Sequence, residues 1–319
     1  MAPYVLVNDI HLSDRAPSSC TESYNDDLFA LLGEVNQLAQ RRQAAAIIYA
    51  GDVFHHKTPT RTSHGTVMRL IQTALAAPCR VFAVAGNHDL SHDRLDSLTE
   101  SQPLGVCFSS GVLHELDGWS HLITDNVYGL PWQPTWDDEH VSAALAVWCT
   151  GYDANDGPGL VVTHAPLYPP GQELRFEYYP TARFAEAMGG HGTVHYGHVH
   201  EPHGIYTTGG VTFCNPGALS RGSLHEHNLT RPVSVAVWDS DTGTFEIVTV
   251  PHKSAEQVFR LDETGAAKTA QLRLDQFLQD IGQTRIQITT TEAVLAHVRE
   301  LGLGRELETV VEDLLAGAA

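Results

Sequence analysis

Basic clusters are missing from this chain of 319 residues: 19 lysines and arginines stand against 38 acids, the formal net charge is −19 with histidines neutral, and no block of cations stands out. Proteins that coat nucleic acid non-specifically carry a basic footprint, so that class is excluded, and any nucleic-acid substrate has to be gripped locally by metal ions or a few arginines. Long apolar runs are missing as well. Nothing approaches the roughly 20 consecutive apolar residues of a membrane span, so no membrane partner is expected. Cysteine is scarce: Cys20, Cys79, Cys107, Cys149 and Cys214 are odd in number and never fall at C-x-x-C spacing, which argues against a disulfide framework or a thiolate zinc knuckle. The first residues hold no basic region leading into a long apolar stretch and a small-residue cleavage site, so no secretory signal is expected and a reducing cytoplasm is the expected compartment.

The rest of the composition, 42% hydrophobic and 18% charged, is that of an ordinary folded protein long enough for one large α/β domain with a small appendage. Nineteen histidines are the excess that asks for an explanation.

Periodicity places them. Tyr4 to Val7 is a β-type run ending at "NDIH", and Leu28, Leu31, Leu32, Val35, Leu38 and Ala39 then fall at helical spacing behind the capping candidates Ser23 and Asn25. Ile47 to Ala50 is a second strand ending at Gly51 and Asp52, Val67 to Leu75 a second amphipathic helix, and Val81 to Ala85 a third strand. This alternation predicts a parallel α/β core. "LVVTHAP" and "GTVHYGHVH" each read as a strand followed by histidines, whereas Ser91 to Gly159 reads weakly around a Pro/Trp-rich loop, "LPWQPTW". From Ile205 to Val250, β-type runs separated by "TGG" and "DTG" predict hairpins. The pattern changes near residue 253, which sets the expected division into a domain over 1–252 and a small appendage over 253–319.

Five strand ends carry the same kind of residue: Asp9 and His11 in "NDIH", Asp52 in "GDVFHH", Asn87, His88 and Asp89 in "GNHD", His164 in "THAP", and His198 and His200 in "GHVH". The C-terminal ends of parallel strands lie along one edge of a sheet, where α/β proteins place their ligands, so side chains remote in sequence converge there. Seven O and N donors without sulfur exceed the four of a closed zinc site and fit two divalent ions in an open hydrolytic centre, manganese first, with iron or zinc also suited. Asp52, with two oxygens, is placed to bridge a pair of ions about 3.5 to 4 Å apart that clamps a phosphate and activates water.

Taken together and in order, D-x-H, GD, GNHD, THAP and GHVH resemble the calcineurin-like metallophosphoesterase superfamily over residues 4 to about 250. The resemblance implies two facing mixed β-sheets flanked by helices, an αββα sandwich, followed by a small α+β appendage. It assigns Asp9, His11, Asp52 and His200 to one ion and Asp52, Asn87, His164 and His198 to the other. It implies that His88 is the catalytic histidine that protonates the leaving oxygen, with Asp89 orienting its ring. "GDVFHHKTP" and "NPGALSRG" are further similar to the DNA-repair nuclease branch, the SbcD type, where the histidine at the position of His55 approaches the substrate phosphate.

Near the motifs the chain offers only Lys57, Arg61, Arg94, Arg183 and Arg221 as cations, and Lys57, Arg61 and Arg221 are the expected substrate-binding residues. A metal-dependent phosphodiesterase acting on DNA, as exo- or endonuclease, is therefore the first expectation. A phosphodiesterase for 2′,3′-cyclic or other small nucleotides is the second, and a non-catalytic metal-binding scaffold the third. In the nuclease branch C-terminal helices engage a coiled-coil ATPase; Leu307, Val310, Val311, Leu314 and Leu315 form an apolar face on a last expected helix, and packing on the chain's own domain is the alternative use of it. A homodimer is left open.

Overall fold

A computed structural model describes residues 2–120, 122–123, 126–152, 157–171 and 178–261. The first half follows the sequence alternation. β1 (Tyr4–Val7), β2 (Ala46–Ala50) and β3 (Arg80–Val84) are apolar runs, buried on both faces apart from Arg80. They pair in parallel, and β3 passes the same direction on to β4 (Leu113–Glu115). Helix α1 (Tyr24–Arg42) connects β1 to β2 and α2 (His64–Leu75) connects β2 to β3. α1 buries Leu28, Leu32, Val35, Leu38 and Ala39, spaced by three and four, and ends where Gln43 takes a left-handed backbone and returns its N–H to the Ala39 and Gln40 carbonyls. α2 starts on Ser63, whose side chain accepts from the Thr66 amide. Two short helices, α3 (Ser97–Glu100) and α4 (Pro103–Ser109), precede β4.

The chain then builds a second sheet. β5 (Gly118–Trp119) and β6 (Asn126–Leu130) are followed by α5 (Asp138–Gly151), β7 (Gly159–His164), the short pair β8 (Leu167–Tyr168) and β9 (Tyr179–Pro180), α6 (Thr181–Ala187) and β10 (Thr193–Gly197). β11 (Gly204–Thr208) and β12 (Val211–Asn215) form the hairpin expected at "TGG", with Gly209 and Gly210 both at positive φ as a two-residue turn of matching twist requires. After α7 (Glu226–Thr230), β13 (Ser234–Asp239) and β14 (Thr244–Thr249) form the second expected hairpin, and β13 returns to pair antiparallel with β1. The strand orders are β14-β13-β1-β2-β3-β4 and β11-β12-β10-β7-β6-β5. Both sheets are mixed: β13, next to the edge strand β14, is antiparallel to its neighbours in the first, and the edge strands β11 and β5 are antiparallel to theirs in the second.

Side-chain alternation sorts the core into three layers. Val5, Val7, Ile47, Tyr49, Val81 and Ala83 face α1, α2 and α4. Leu6, Ile48, Phe82 and Trp238 of the first sheet meet Val127, Leu160, Val162 and Cys214 of the second. Val161, Val194, Tyr196 and Phe213 face α5 and α6. Each large side chain so buried contributes about 1.5–3 kcal/mol. The αββα sandwich expected from the resemblance is the fold.

The weakly read stretch holds α5, whose inward face is Val141, Leu145 and Trp148 while Val147 is 53% exposed, so apolar residues on both faces blur the helical period. Of the appendage expected over 253–319, residues 262–319 lie outside the described residues, and with them the apolar face at 307–315. The part that is described packs back on the first layer: α8 (Ala255–Val258) leads into Phe259, 2% exposed, which bridges to Cys20.

Candidate metal centre

The strand ends of both sheets deliver the expected ligands to one seam. Asp9 and His11 follow β1, Asp52 follows β2, and Asn87 stands in a single helical turn after β3, all from the first sheet; His164 closes β7, and His198 and His200 follow β10 in the second. Four of these seven turn inward on a backbone that non-glycine residues rarely adopt: φ is +48° at Asp9, +52° at His11, +50° at Asp52 and +84° at His198. Such conformations cost of the order of 1 kcal/mol or more each and persist where the surroundings hold them, which marks the seam as a functional site. Close approach also demands glycine. A Cβ at Gly86 would stand 2.2 Å from an Asp52 carboxylate oxygen, and one at Gly51 2.2 Å from His164 Nδ1.

The donors form two groups sharing Asp52. In the first, His11 Nε2 lies 3.0 Å from His200 Nε2, 3.5 Å from Asp52 Oδ2 and 4.0 Å from Asp9 Oδ1, and His200 Nε2 lies 3.6 Å from Asp9 Oδ1. In the second, Asn87 Oδ1 lies 3.1 Å from both His164 Nε2 and His198 Nδ1, and His164 Nε2 lies 3.4 Å from Asp52 Oδ1. Ligands held about 2.1 Å from one ion leave about 3 to 4 Å between themselves, so both groups fit a divalent cation without rearrangement. The donors are also held from behind. His164 Nδ1–H donates to the Ala50 carbonyl at 2.8 Å, turning Nε2 to the centre, and the His198 amide donates to both Asp9 oxygens at 3.1 Å.

Electrostatics point the same way. Asp9 and Asp52 are at most 1% exposed, and neither has a lysine or arginine ion-pair partner among the described residues. Burial, reinforced by Asp52, pushes Asp9 up to about 7. Burial pushes Asp52 up as well, but His164, His88 and His11 outweigh it and hold its carboxyl well below the usual range. Burial drives His11 and His198 well below the ordinary imidazole value and His200 to about 3, so all three are neutral donors. Burial opposes protonation of His164 too, but Asp52 prevails and lifts it to about 9, the field of a site built for positive charge. A buried carboxylate pair without a lysine or arginine partner is stable when cations fill it.

His88 lies beside this centre. Its amide donates to Asp52 Oδ1 at 2.8 Å, its Nδ1–H donates to the His55 carbonyl at 2.6 Å, and its Nε2 is buried without a partner among the described residues. Asp89 does something other than the expected orienting of that ring. Its two oxygens accept from the backbone amides of Phe54, Val53 and Gly86 at 2.9, 3.2 and 3.0 Å, which lashes the β2 loop to the β3 loop; the His55 carbonyl orients His88 instead. The His55 ring stacks on His88 with centroids 5.6 Å apart, and its Nδ1 meets His11 Nδ1 at 3.3 Å. Were His11 to hold an ion through Nε2, its Nδ1–H would donate to His55 Nδ1 and leave the His55 proton on Nε2. Burial holds His55 at about 3, hence neutral.

Of the expected substrate-binding cations, Arg61 lines a cleft of about 540 Å³ that opens from His11 and His200. Lys57 pairs with Asp93 at 3.0 Å and is not among the residues lining that cleft. Arg221 is 6% exposed and donates to the Lys253 carbonyl at 2.6 Å beside a separate cavity of about 300 Å³, so it braces the fold and is not in the cleft.

Other residues at the site were not candidates of the sequence reading. Trp132, from the Pro/Trp-rich loop, lies over His198 with centroids 4.8 Å apart. "NPGALSRG" is a buckle: the Ala218 amide donates to the His200 carbonyl at 3.1 Å, the Leu219 amide to the Asn8 carbonyl at 2.8 Å, and the Ser220 hydroxyl to the Asp9 carbonyl at 2.9 Å. Ser13, Arg15 and His56 also line the cleft.

The chain is similar to proteins of known structure. A dimetal phosphatase from Danio rerio superposes with a TM-score of 0.53 at 12% identity, over 79% of this chain and 97% of that one, a likeness of fold. A protein of Thermus thermophilus gives a TM-score of 0.49 at 12% identity over 78% of this chain and 98% of that one. A stretch of 70 residues, 21% of this chain, is 37% identical to the genome polyprotein of Banzi virus, of which it spans 2% of the length. The family model of the calcineurin-like phosphoesterases matches residues 2–202, a span that takes in every donor from Asp9 to His200, and the chain belongs to that family.

Proposed function

We propose that the protein is a phosphodiesterase with two divalent ions, manganese first, that hydrolyses DNA in the manner of the SbcD-type nucleases. The observation that carries this reading is the pairing of two donor groups joined through Asp52 with a catalytic histidine whose Nε2 is buried and unpartnered among the described residues. When bound, such ions neutralise phosphate charge and supply hydroxide at neutral pH. The chain's own residues do the rest. Asp9, His11, Asp52 and His200 hold one ion and Asp52, Asn87, His164 and His198 the other. His88, with Nδ1–H fixed on the His55 carbonyl, acts as the imidazolium: it gives the leaving oxygen the proton on Nε2 and keeps the one on Nδ1. His55, neutral and with its proton on Nε2, is a hydrogen-bond donor for a phosphate oxygen, and the cleft beyond it leaves room for the flanks of a diester.

A second reading, a phosphodiesterase for 2′,3′-cyclic or other small nucleotides, keeps the centre and is favoured by the net charge of −19 and by the engagement of Lys57, Arg94 and Arg183 with Asp93, Asp96 and Asp138. Rates of the manganese-loaded protein on single-stranded DNA, duplex ends and 2′,3′-cyclic nucleotides decide between them. Faster turnover of DNA supports the first reading; preference for the cyclic compound replaces it with the second. Absence of any turnover above the metal-only control leaves a metal-binding scaffold.

A further inference from the structure

In a chain with twice as many acids as bases, surface cations find carboxylates. Arg42, Lys57, Arg69, Arg94, Arg183 and Lys253 all do. Arg15 and Arg61 are exposed, line the same cleft as His11 and His200, and enter no ion pair among the described residues. His56 lines the same cleft, tethered by its Nε2 to Ser13 Oγ at 3.2 Å. Burial lowers its pKa, and the charge of Arg61, His88 and, in the same sense, Arg15 lowers it further, while Asp14 opposes them.

Asp14, the acid in this wall, is already committed. It accepts from the Ser63 amide at 2.6 Å, the Ser63 hydroxyl at 2.8 Å and the Thr66 hydroxyl at 2.5 Å, pinning the loop after β1 to the start of α2. The same bonds hold Arg15, one residue on, at the cleft. Two uncompensated guanidinium groups on one wall repel each other unless an anion lies between them, and planar forks of N–H donors suit phosphate oxygens.

We propose that Arg15, Arg61 and His56 form a second phosphate subsite, which takes the phosphate next to the one being cleaved, so that the substrate class is a nucleotide chain with at least two phosphates. This rests on the phosphodiesterase reading and narrows it against a cyclic mononucleotide. The wall sits beside His55, which places the neighbouring phosphate along the cleft from the metal centre.

The test uses the manganese-loaded full chain and the variants Arg15→Gln, Arg61→Gln and both together, with Arg42→Gln, which loses a charge outside the cleft, as control. Two substrates are compared: bis(p-nitrophenyl) phosphate, with one phosphate, and a thymidine trinucleotide, with two. The double variant is expected to lose at least tenfold in kcat/KM on the trinucleotide, mainly through KM, while turnover of the single-phosphate diester stays within twofold and Arg42→Gln changes neither. Equal losses on both substrates, or no loss on the trinucleotide, overturn the subsite. If wild type turns over no diester, the phosphodiesterase reading fails, and calorimetry with thymidine 3′,5′-bisphosphate and thymidine 5′-monophosphate still judges the subsite. Tighter binding of the bisphosphate by wild type but not by the double variant sustains it, and equal affinities in wild type overturn it.

Discussion

Gly86→Ala adds one carbon at the point where the two metal groups meet. The backbone there is unstrained for alanine, with φ −94° and ψ 173°, so the effect is purely steric. The new Cβ would lie 2.2 Å from both the Asp52 amide nitrogen and its Oδ1, and 3.0 Å from its Cγ. Ordinary contact is about 3.5 Å, so the shared carboxylate or the β2 end has to move by about 1 Å. Misplacement on that scale costs about 10²-fold in rate, near 2.7 kcal/mol of transition-state stabilisation. Overpacking adds about 1–3 kcal/mol of lost stability. The control is the same change at Gly33 in α1, where nothing lies within 4 Å of the added carbon. Gly33→Ala is expected to stabilise by about 0.5–1 kcal/mol and leave the rate unchanged. Metal content by elemental analysis, turnover of a chromogenic diester and thermal melts are measured on both variants. Gly86→Ala with wild-type metal content and a rate within twofold of wild type would refute the placement of Asp52 as the shared ligand.

Asp52→Asn is expected to lose metal and rate together, whereas His88→Ala keeps its metal by elemental analysis and loses about 10²–10⁴-fold in kcat, the usual worth of a proton donor; full activity in either contradicts its role. Ser220→Ala removes the hydroxyl bond to the Asp9 carbonyl and is expected to weaken manganese binding about tenfold by calorimetry, with the melting curve little changed. Manganese at about 100 times its dissociation constant should stabilise the fold by about 2.7 kcal/mol relative to chelated protein, seen as a higher melting temperature that EDTA reverses. His195 is fully buried between the sheets with neither ring nitrogen bonded among the described residues, and burial holds it at about 3 against 6.5. The unfolded chain takes up its proton below pH 6.5 and the fold does not until about pH 3, so stability present above pH 6.5 is lost on acidification by about 1.4 kcal/mol per unit within that window. From about pH 8 to about pH 5, wild type should lose about 2 kcal/mol more than His195→Leu in urea titrations; parallel losses would contradict it.

Much of this protein was legible in one dimension. Short apolar runs located β1 to β3 and period-3.6 patterning located α1 and α2, because a buried strand and an amphipathic helix each write their environment into consecutive residues. The hairpins at "TGG" and "DTG" were legible because positive φ leaves few choices of residue. The candidate ligands were legible as a set, since Asp9, Asp52, Asn87, His164 and His198 each stand at the end of a readable strand and the strands' common direction brings their ends together. α5 escaped because Val147 spoils its polar face, and β5, of two residues, is shorter than any period.

What had to wait for three dimensions are the partners that no spacing encodes. That Asp89 holds amides while a carbonyl of His55 steers His88, that Arg221 braces Lys253 while Arg15 enters the cleft, and that Trp132 covers His198 all depend on packing between segments up to 189 residues apart, as His11 and His200 are. A local pattern states which face of an element is buried; only the docking of one sheet on the other settles which polar atoms meet across the seam.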